Sequence, residues 1–315
     1  MCAEVFQDRA TVSFILTNSR SFSPDRTCAV HQEIAENIAW AAGEAGRNFV
    51  LVSRGDSTPR SHWPLETRVL SETLARTGRR FDGEILIPFF PEGGRFTFGN
   101  MHYVKEGDTL VPAGETEFAR DPAFGYASLS LTAWCQEKMG GACRAEDCIC
   151  VALEDLRALR TEKILQQLTA VENFAKVIVN AACYEDLKVF CAACCEALDT
   201  GKTFLLRTAA SWVKVFGGIP GKALLRRGIT AVIYTTRERV TPPGVSGEEQ
   251  LRLSRAISRA LTSVVERLAV RPRFLVAKGG ITSSDVGVKA LGVKRALVLG
   301  QIAPRRSRVA DGAGE

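Results

Sequence analysis

The sequence predicts an α/β protein with mainly parallel sheets and helices on both faces. Two observations carry this. Apolar β-type runs alternate with longer segments of helical periodicity. Polar, glycine-bearing segments follow the ends of several of those runs, where open parallel sheets place their ligands.

Val12-Ser13-Phe14-Ile15-Leu16 reads as a first strand, leading to a helix around Cys28 to Glu44. Asn48 to Val52 reads as the next, followed by a polar loop and a helix near Leu65 to Arg79. Glu84 to Ile87 opens a stretch from Pro88 to Tyr126 that has little helical periodicity but is rich in Gly, Pro, Phe and charge. Its aromatic content argues for an ordered excursion with hairpins over the ligand face rather than for disorder. Cys148 to Leu153 is strand-like, which puts Cys148 and Cys150 on one face. Lys176 to Val179 precedes a helix near Asp186 to Leu198. A second segment begins near Gly217 to Gly221 and includes the apolar run Ile229 to Tyr234 and a helix from about Glu248 to Leu268. The strands Phe274–Ala277 and Arg295–Leu299 follow, and the polar tail from Ala303 to Glu315 is expected to fray. These boundaries divide the chain into 1–216, 217–302 and a disordered 303–315.

At 315 residues the chain has room for two domains, and 46% hydrophobic with 24% charged residues is an ordinary globular composition. A net charge of +6, with acids interspersed, suits anionic small molecules and does not demand nucleic acid. The N-terminus lacks a basic and apolar leader pattern, and no apolar run approaches membrane-spanning length, so the expected location is the cytoplasm. The ten cysteines include Cys148-Ile149-Cys150 and Cys191-Ala192-Ala193-Cys194-Cys195, but the three histidines stand far from both groups. Reduced, mostly buried thiols are expected rather than zinc or a disulfide framework.

Three polar segments carry candidate chemistry. Lys278-Gly279-Gly280-Ile281-Thr282-Ser283 lies between an apolar run and a helix-like segment, Val286 to Leu291. Glycines allow close backbone approach to an anion, and a helix start offers N–H groups with partial positive charge, so this is a candidate phosphate cradle. The loop from Ser53 to Thr67 packs Arg54, Asp56, Ser57, Arg60 and His62 closely together. Guanidinium forks suit a carboxylate or phosphate, and Asp with hydroxyls suits sugar hydroxyls. A solvated loop whose Asp or Ser caps the next helix is the alternative. Glu92, Gly93, Gly94 and Arg95 form a second turn, with His102 shortly after. Glu92 could act as a base and His102 as an acid, although a lone His among aromatics more often packs with one hydrogen bond.

These segments resemble the four-carbon acid sugar kinases, ATP-dependent enzymes acting on tetronates and 3-oxo-tetronates. The similarity runs in family order through Leu16 to Arg20, the Ser53–Glu66 loop, Pro88 to Arg95, His102 to Val104 and Glu117 to Asp121. It continues through Phe124 to Tyr126, Val179 to Ala181, Arg207 to Ser211, Lys278 to Asp285 and Leu299 to Ile302. The resemblance implies an N-terminal sugar-acid domain and a shorter C-terminal ATP domain, with a small sugar acid as partner and ATP bound as its Mg²⁺ complex. It also implies that Arg54, Asp56, Ser57, Arg60 and His62 line the sugar-acid pocket, joined by the Glu92–Arg95 turn. Lys278 to Ser283 would hold the phosphates, and Asp56 is the candidate catalytic base. Against the family pattern the chain lacks an Asp-rich start, a Gly-Ser turn between Gly228 and Ile229 and a closing glycine loop. In the matched loop, Pro59 and Ser61 replace an apolar residue and a glycine. These departures predict little or no kinase turnover from this chain; the alternative is a non-catalytic sugar-acid-binding remnant or a gene fragment of that family.

Overall fold

The computed structural model describes residues 12–17, 19–217, 259, 262, 266, 285–294, 296–303 and 306–311. The chain forms two compact units, one of residues 1–19 and 23–218, the other of residues 20–22 and 219–315.

The first unit opens with helix α1 (Pro24–Ala45). Ser23 caps it by accepting from the Arg26 N–H, Pro24 occupies the first turn, and Gly46 ends it in the left-handed region at φ 58°. Strand β1 (Leu51–Arg54), helix α2 (Leu65–Arg76) and strand β2 (Gly83–Ile87) follow. The excursion after β2 is a three-stranded antiparallel meander of β3 (Arg95–Phe98), β4 (Met101–Glu106) and β5 (Thr109–Pro112). Its first turn is the pair Gly99-Asn100, both at positive φ (57° and 61°), the conformation that suits a two-residue hairpin. Helix α3 (Leu131–Lys138), strand β6 (Ile149–Val151) and helices α4 (Leu153–Arg157) and α5 (Thr161–Thr169) come next. The unit closes with β7 (Ala175–Val179), α6 (Tyr184–Asp199), β8 (Phe204–Thr208) and α7 (Ala210–Phe216). Asp186 starts α6 by accepting from the N–H groups of Ala182 and Cys183 at 2.8 and 2.9 Å.

Strands β1, β8, β2, β7 and β6 lie side by side in that order, every pair parallel. Period-two alternation splits their side chains between two cores. Ile85, Ile87, Val177, Val179 and Leu206 pack with α5, α6 and α7 through Ile164, Leu168, Phe190 and Trp212. On the opposite face Leu86 and Ile178 meet Trp63 and Trp134, and Leu205 meets Leu70 and Leu74 of α2 and Ala35 of α1. Helices therefore cover both faces, as expected from the alternation. Also on the second face, Glu84 and Lys176 are register partners on β2 and β7 and form a fully buried ion pair at 2.9 Å.

The second unit is described in part. Asp285 leads into a single wide turn, Val286–Ala290, closed from Leu291 N–H to the Val286 carbonyl at 3.0 Å. Strands β9 (Ala296–Ala303) and β10 (Arg306–Asp311) form an antiparallel pair.

Two expectations are corrected. Residues 12–17 are irregular, and Phe14, Ile15 and Leu16 are exposed by 44, 37 and 60%. A strand exists through its ladder, and none of the described strands pairs with this run. The polar tail is not wholly frayed, because Arg306–Asp311 pairs with β9. Polarity did not preclude pairing there, since the ladder is made by backbone groups. The apolar runs at 229–234 and 274–277 and most of the 248–268 helix lie outside the described residues.

Candidate functional site

The ladder between β1 and β8 continues one step past the strands, with Gly55 N–H donating to the Thr208 carbonyl at 2.9 Å. A pocket opens there, at the carboxyl ends of β1, β2 and β8, walled by Gly55, Asp56, Pro59, Ser61, Trp134 and Arg207. A Cβ at Gly55 would lie 2.4 Å from the Arg207 guanidinium carbon, so any side chain there would displace that guanidinium. Arg207 is itself fixed, donating to Ser53 Oγ at 2.8 Å and pairing with Glu66 Oε2 at 2.9 Å. Glu66 is buried and also accepts from Ser19 Oγ at 2.6 Å. Burial pushes its carboxyl up, but Arg207, then Ser19, outweigh that and leave its pKa below the usual carboxylate range.

The loop after β1 is tied inward on itself. Asp56 Oδ2 accepts from Arg60 Nε at 3.0 Å, from Thr58 N at 3.3 Å and from the Thr58 hydroxyl. Arg60 also reaches Asp121 at 3.4 Å. Arg60 and Arg95 both lie over the Phe118 ring, at 4.8 and 5.0 Å from its centroid, so the excursion joins the two sequence motifs. His62 packs edge-on against Phe124 at 4.8 Å.

His102, on β4, is a packing and positioning residue rather than an acid. Its ring bonds Thr97 Oγ1 at 2.9 Å and the Ser57 carbonyl at 2.6 Å, and it is 1% exposed. Burial lowers its pKa to about 4, so it is neutral at physiological pH. A depressed pKa means that its stabilising contribution is present above the ordinary value of 6.5 and is lost as pH falls toward about 4. The protein should lose on the order of 3 kcal/mol across that window. Denaturant titrations of the wild type and His102→Gln from pH 7 to about 4 check this: the variant's stability should vary less with pH. Parallel curves would show that His102 is not the titrating group.

Glu92 faces a different set of groups. It accepts from the Tyr184 hydroxyl and from Lys214 Nζ, the latter at 3.2 Å, while Tyr184 OH and Lys214 Nζ lie 3.1 Å apart. Ser211 joins at 3.4 Å from the Tyr184 hydroxyl. Burial first, then Glu92, raises the Tyr184 pKa and keeps the phenol protonated. Gly94 caps the preceding turn at φ 77°, and a Cβ on Gly93 would meet the Phe90 ring at 2.5 Å.

Of the loop residues read from sequence, Asp56 lines the pocket, whereas Arg54, Ser57, Arg60 and His62 surround the loop without walling it. Arg54, at the end of β1, is exposed by surface area yet crowded: burial, opposed by Asp56 and aided by Arg207, lowers its pKa. Among the described residues no hydrogen bond or ion pair occupies its side chain. Arg207, Glu66, Tyr184, Lys214, Phe118 and Asp121 are not among the site residues expected from the sequence, although Tyr184 and Lys214 follow the carboxyl ends of β7 and β8. The phosphate-cradle candidates Lys278, Gly279, Gly280, Ile281, Thr282 and Ser283 lie outside the described residues. So does the junction at Gly228 and Ile229.

Comparison with known families gives this geometry its context. A sugar-binding N-terminal domain family matches residues 1–216, and a nucleotide-binding C-terminal domain family matches residues 156–311. The protein is therefore of the class that joins a sugar-binding domain to a nucleotide-binding one. These are the two domains of the four-carbon acid sugar kinases, also designated DUF1537, and the chain belongs to that family. Solved structures show similarity at low identity. A Haemophilus influenzae DUF1537 protein matches at 18% identity and TM-score 0.45, over 63% of this chain and 43% of that one. A Bordetella bronchiseptica DUF1537 protein, a domain-swapped dimer with bound citrate, matches at 18% identity and TM-score 0.45, over 66% of this chain and 46% of that one. The chain thus spans less than half the length of these two structures. A Salmonella typhimurium LT2 protein provisionally described as a tRNA synthase shares the fold, at 14% identity and TM-score 0.57, over 93% of this chain and 81% of that one. No curated protein matches the sequence. Among the described residues no helix is long and apolar enough to cross a membrane.

Proposed function

We propose that this chain acts as an ATP-dependent kinase that phosphorylates a hydroxyl of a four-carbon sugar acid, a tetronate or 3-oxo-tetronate. The observation that carries the sugar-acid part is the set of guanidiniums about the loop after β1, of which Arg207 walls the pocket. Arg60 is committed to Asp56 and Asp121, and Arg207 to Glu66, whereas Arg54 is exposed and uncommitted beside them. A small carboxylate entering the pocket would find its partner in Arg54, with Asp56 at the wall to receive a sugar hydroxyl. In this reading Asp56 is the candidate base, Ser57, Arg60 and His62 shape the loop, and Glu92 to Arg95 close the adjoining side.

The nucleotide part rests on the match to the nucleotide-binding domain family. ATP, bound as its Mg²⁺ complex, would supply the transferred phosphoryl group, and Lys278 to Ser283 are the proposed phosphate-binding residues. Positioning and charge stabilisation account for most of the catalysis in such transfers. The division into a sugar-acid domain of residues 1–216 and a nucleotide domain beginning at 217 belongs to the same proposal, as does a cytoplasmic location.

Calorimetric titration with ATP-Mg²⁺ and, separately, with a panel of tetronates tests the reading. At least one tetronate should bind, and Arg54→Lys, which keeps the charge but loses the fork, should weaken it by about 1.5–3 kcal/mol. Equal affinity of the two proteins would remove Arg54 from the site. Absence of binding by every tetronate in the panel would overturn the sugar-acid assignment.

A further inference from the structure

The cysteines of the second core are arranged beyond what packing requires. Cys135 is buried on α3, Cys143 sits in the loop after that helix, and Cys148 immediately precedes β6. Cys143 Sγ and Cys148 Sγ are 3.8 Å apart, and both thiols approach the Arg144 carbonyl, at 3.6 and 3.9 Å. Neither is fully buried, so small solutes reach this edge of the core. The loop between α3 and Cys143 contains Gly140 and Gly141, both at positive φ (60° and 84°), a backbone open to adjustment. A disulfide needs its sulfurs at about 2.05 Å, so closing the pair takes a shift of about 1.8 Å, which a surface loop can absorb.

We infer that Cys148 and Cys143 form a peroxide-reactive pair, in which Cys148 is the attacking thiol and Cys143 the resolving one. Their environments divide the roles. Hydrogen bonding from the Cys135 thiol, then from Cys143, with the Lys176 ammonium adding to it, lowers Cys148 to about 7 against burial. Burial, then the neighbouring Cys148, raises Cys143 to about 11, so it remains a thiol until needed. Lys176 is itself neutralised in part by Glu84, which makes the thiol hydrogen bonds the larger influence.

The chemistry closes with a hydroperoxide as the oxidant. The Cys148 thiolate attacks one peroxide oxygen, the O–O bond breaks, and the departing hydroxide takes up a proton as water, leaving a sulfenic acid. Cys143 gives up its proton, its sulfur attacks Cys148 Sγ, and the S–O bond breaks to release a second water as the disulfide forms. Two thiols and one hydrogen peroxide become one disulfide and two waters.

Cys195 is the internal control, because it is exposed while Cys148 is only partly so. The reduced full chain is treated with hydrogen peroxide, alkylated and digested with trypsin. Cleavage after Lys138, Arg144 and Arg157 places Cys143 and Cys148 on separate peptides. The expected product is these two peptides joined through Cys143 and Cys148, with loss of the Cys148 thiol about tenfold faster than that of Cys195. In Cys143→Ser, Cys148 should accumulate as a sulfenic acid trapped by dimedone, and in Cys148→Ser, Cys143 should stay reduced. Oxidation of Cys195 before any Cys143–Cys148 linkage, or linkage through Cys150 on fragmentation, overturns the inference.

Discussion

A Lys176→Met variant, unfolded in denaturant at neutral pH, is expected to be less stable than the parent by about 3–5 kcal/mol. Lys176 and Glu84 are 4 and 0% exposed, paired at 2.9 Å across neighbouring parallel strands. Glu84 also accepts from Trp63 Nε1 at 2.6 Å, while Lys176 donates to the Phe174 carbonyl at 3.2 Å and lies over the Phe174 ring. Removing the ammonium alone leaves a carboxylate in the core with one indole N–H for compensation, and an uncompensated buried charge is the expensive outcome. The double variant Lys176→Met, Glu84→Gln removes both charges but keeps an oxygen for Trp63, and should recover most of the loss. A single variant within about 1 kcal/mol of the parent, or a double variant no better than the single, would show that the pair is not the desolvated unit described here.

That pair also marks where the sequence stops being readable. Both residues fall in runs that the sequence predicts as strands, because β2 and β7 are short apolar stretches and hydrophobic periodicity is local information. That the two charges face each other depends on register between strands far apart in the chain, which no local pattern encodes. The same reasoning separates the legible from the illegible parts of the site. Asp56 and its loop stood out because several charged and hydroxyl groups follow a strand within a few residues. Arg207 and Glu66 did not, since each is an isolated charge in a strand or helix and acquires meaning only when β1 and β8 become neighbours. Tyr184 and Lys214 were within reach of the rule that ligands gather at carboxyl strand ends, but Lys214 stands between Val213 and Val215, and Glu185 and Asp186 after Tyr184 read only as the start of a helix. The hairpins after β2 were expected from composition, and the turn at Gly99-Asn100 explains why that stretch resisted a helical reading. Val12 to Leu16 is the converse case: none of the described strands pairs with it, and β-type residues make a strand only through a ladder.

Replacing Arg207 by Met should cost about 3–5 kcal/mol at neutral pH, and the size of the loss should depend on pH in a specified direction. In the parent the Glu66 carboxyl lies below its ordinary value of 4.5, held there against burial by Arg207 first and Ser19 second. Its contribution to stability is therefore fully present above about pH 4.5 and is lost as pH falls through the depressed folded value. Without Arg207, burial dominates and the folded pKa moves above the unfolded one. The sign then reverses: in the variant, Glu66 is least harmful when protonated, below the unfolded value, and stability declines as pH rises through the raised folded pKa. The destabilisation should accordingly be larger at about pH 7 than at about pH 4. The His102 contribution changes over part of the same range, but it is common to both proteins and cancels in the difference. Adding Glu66→Gln to Arg207→Met should flatten the dependence and recover stability at neutral pH, because no buried carboxylate remains to be neutralised. Denaturant titrations of the three proteins at the two pH values decide the matter. A destabilisation by Arg207→Met that is independent of pH would mean that Arg207 stabilises this edge of the pocket through packing and its bond to Ser53 rather than through the charge on Glu66.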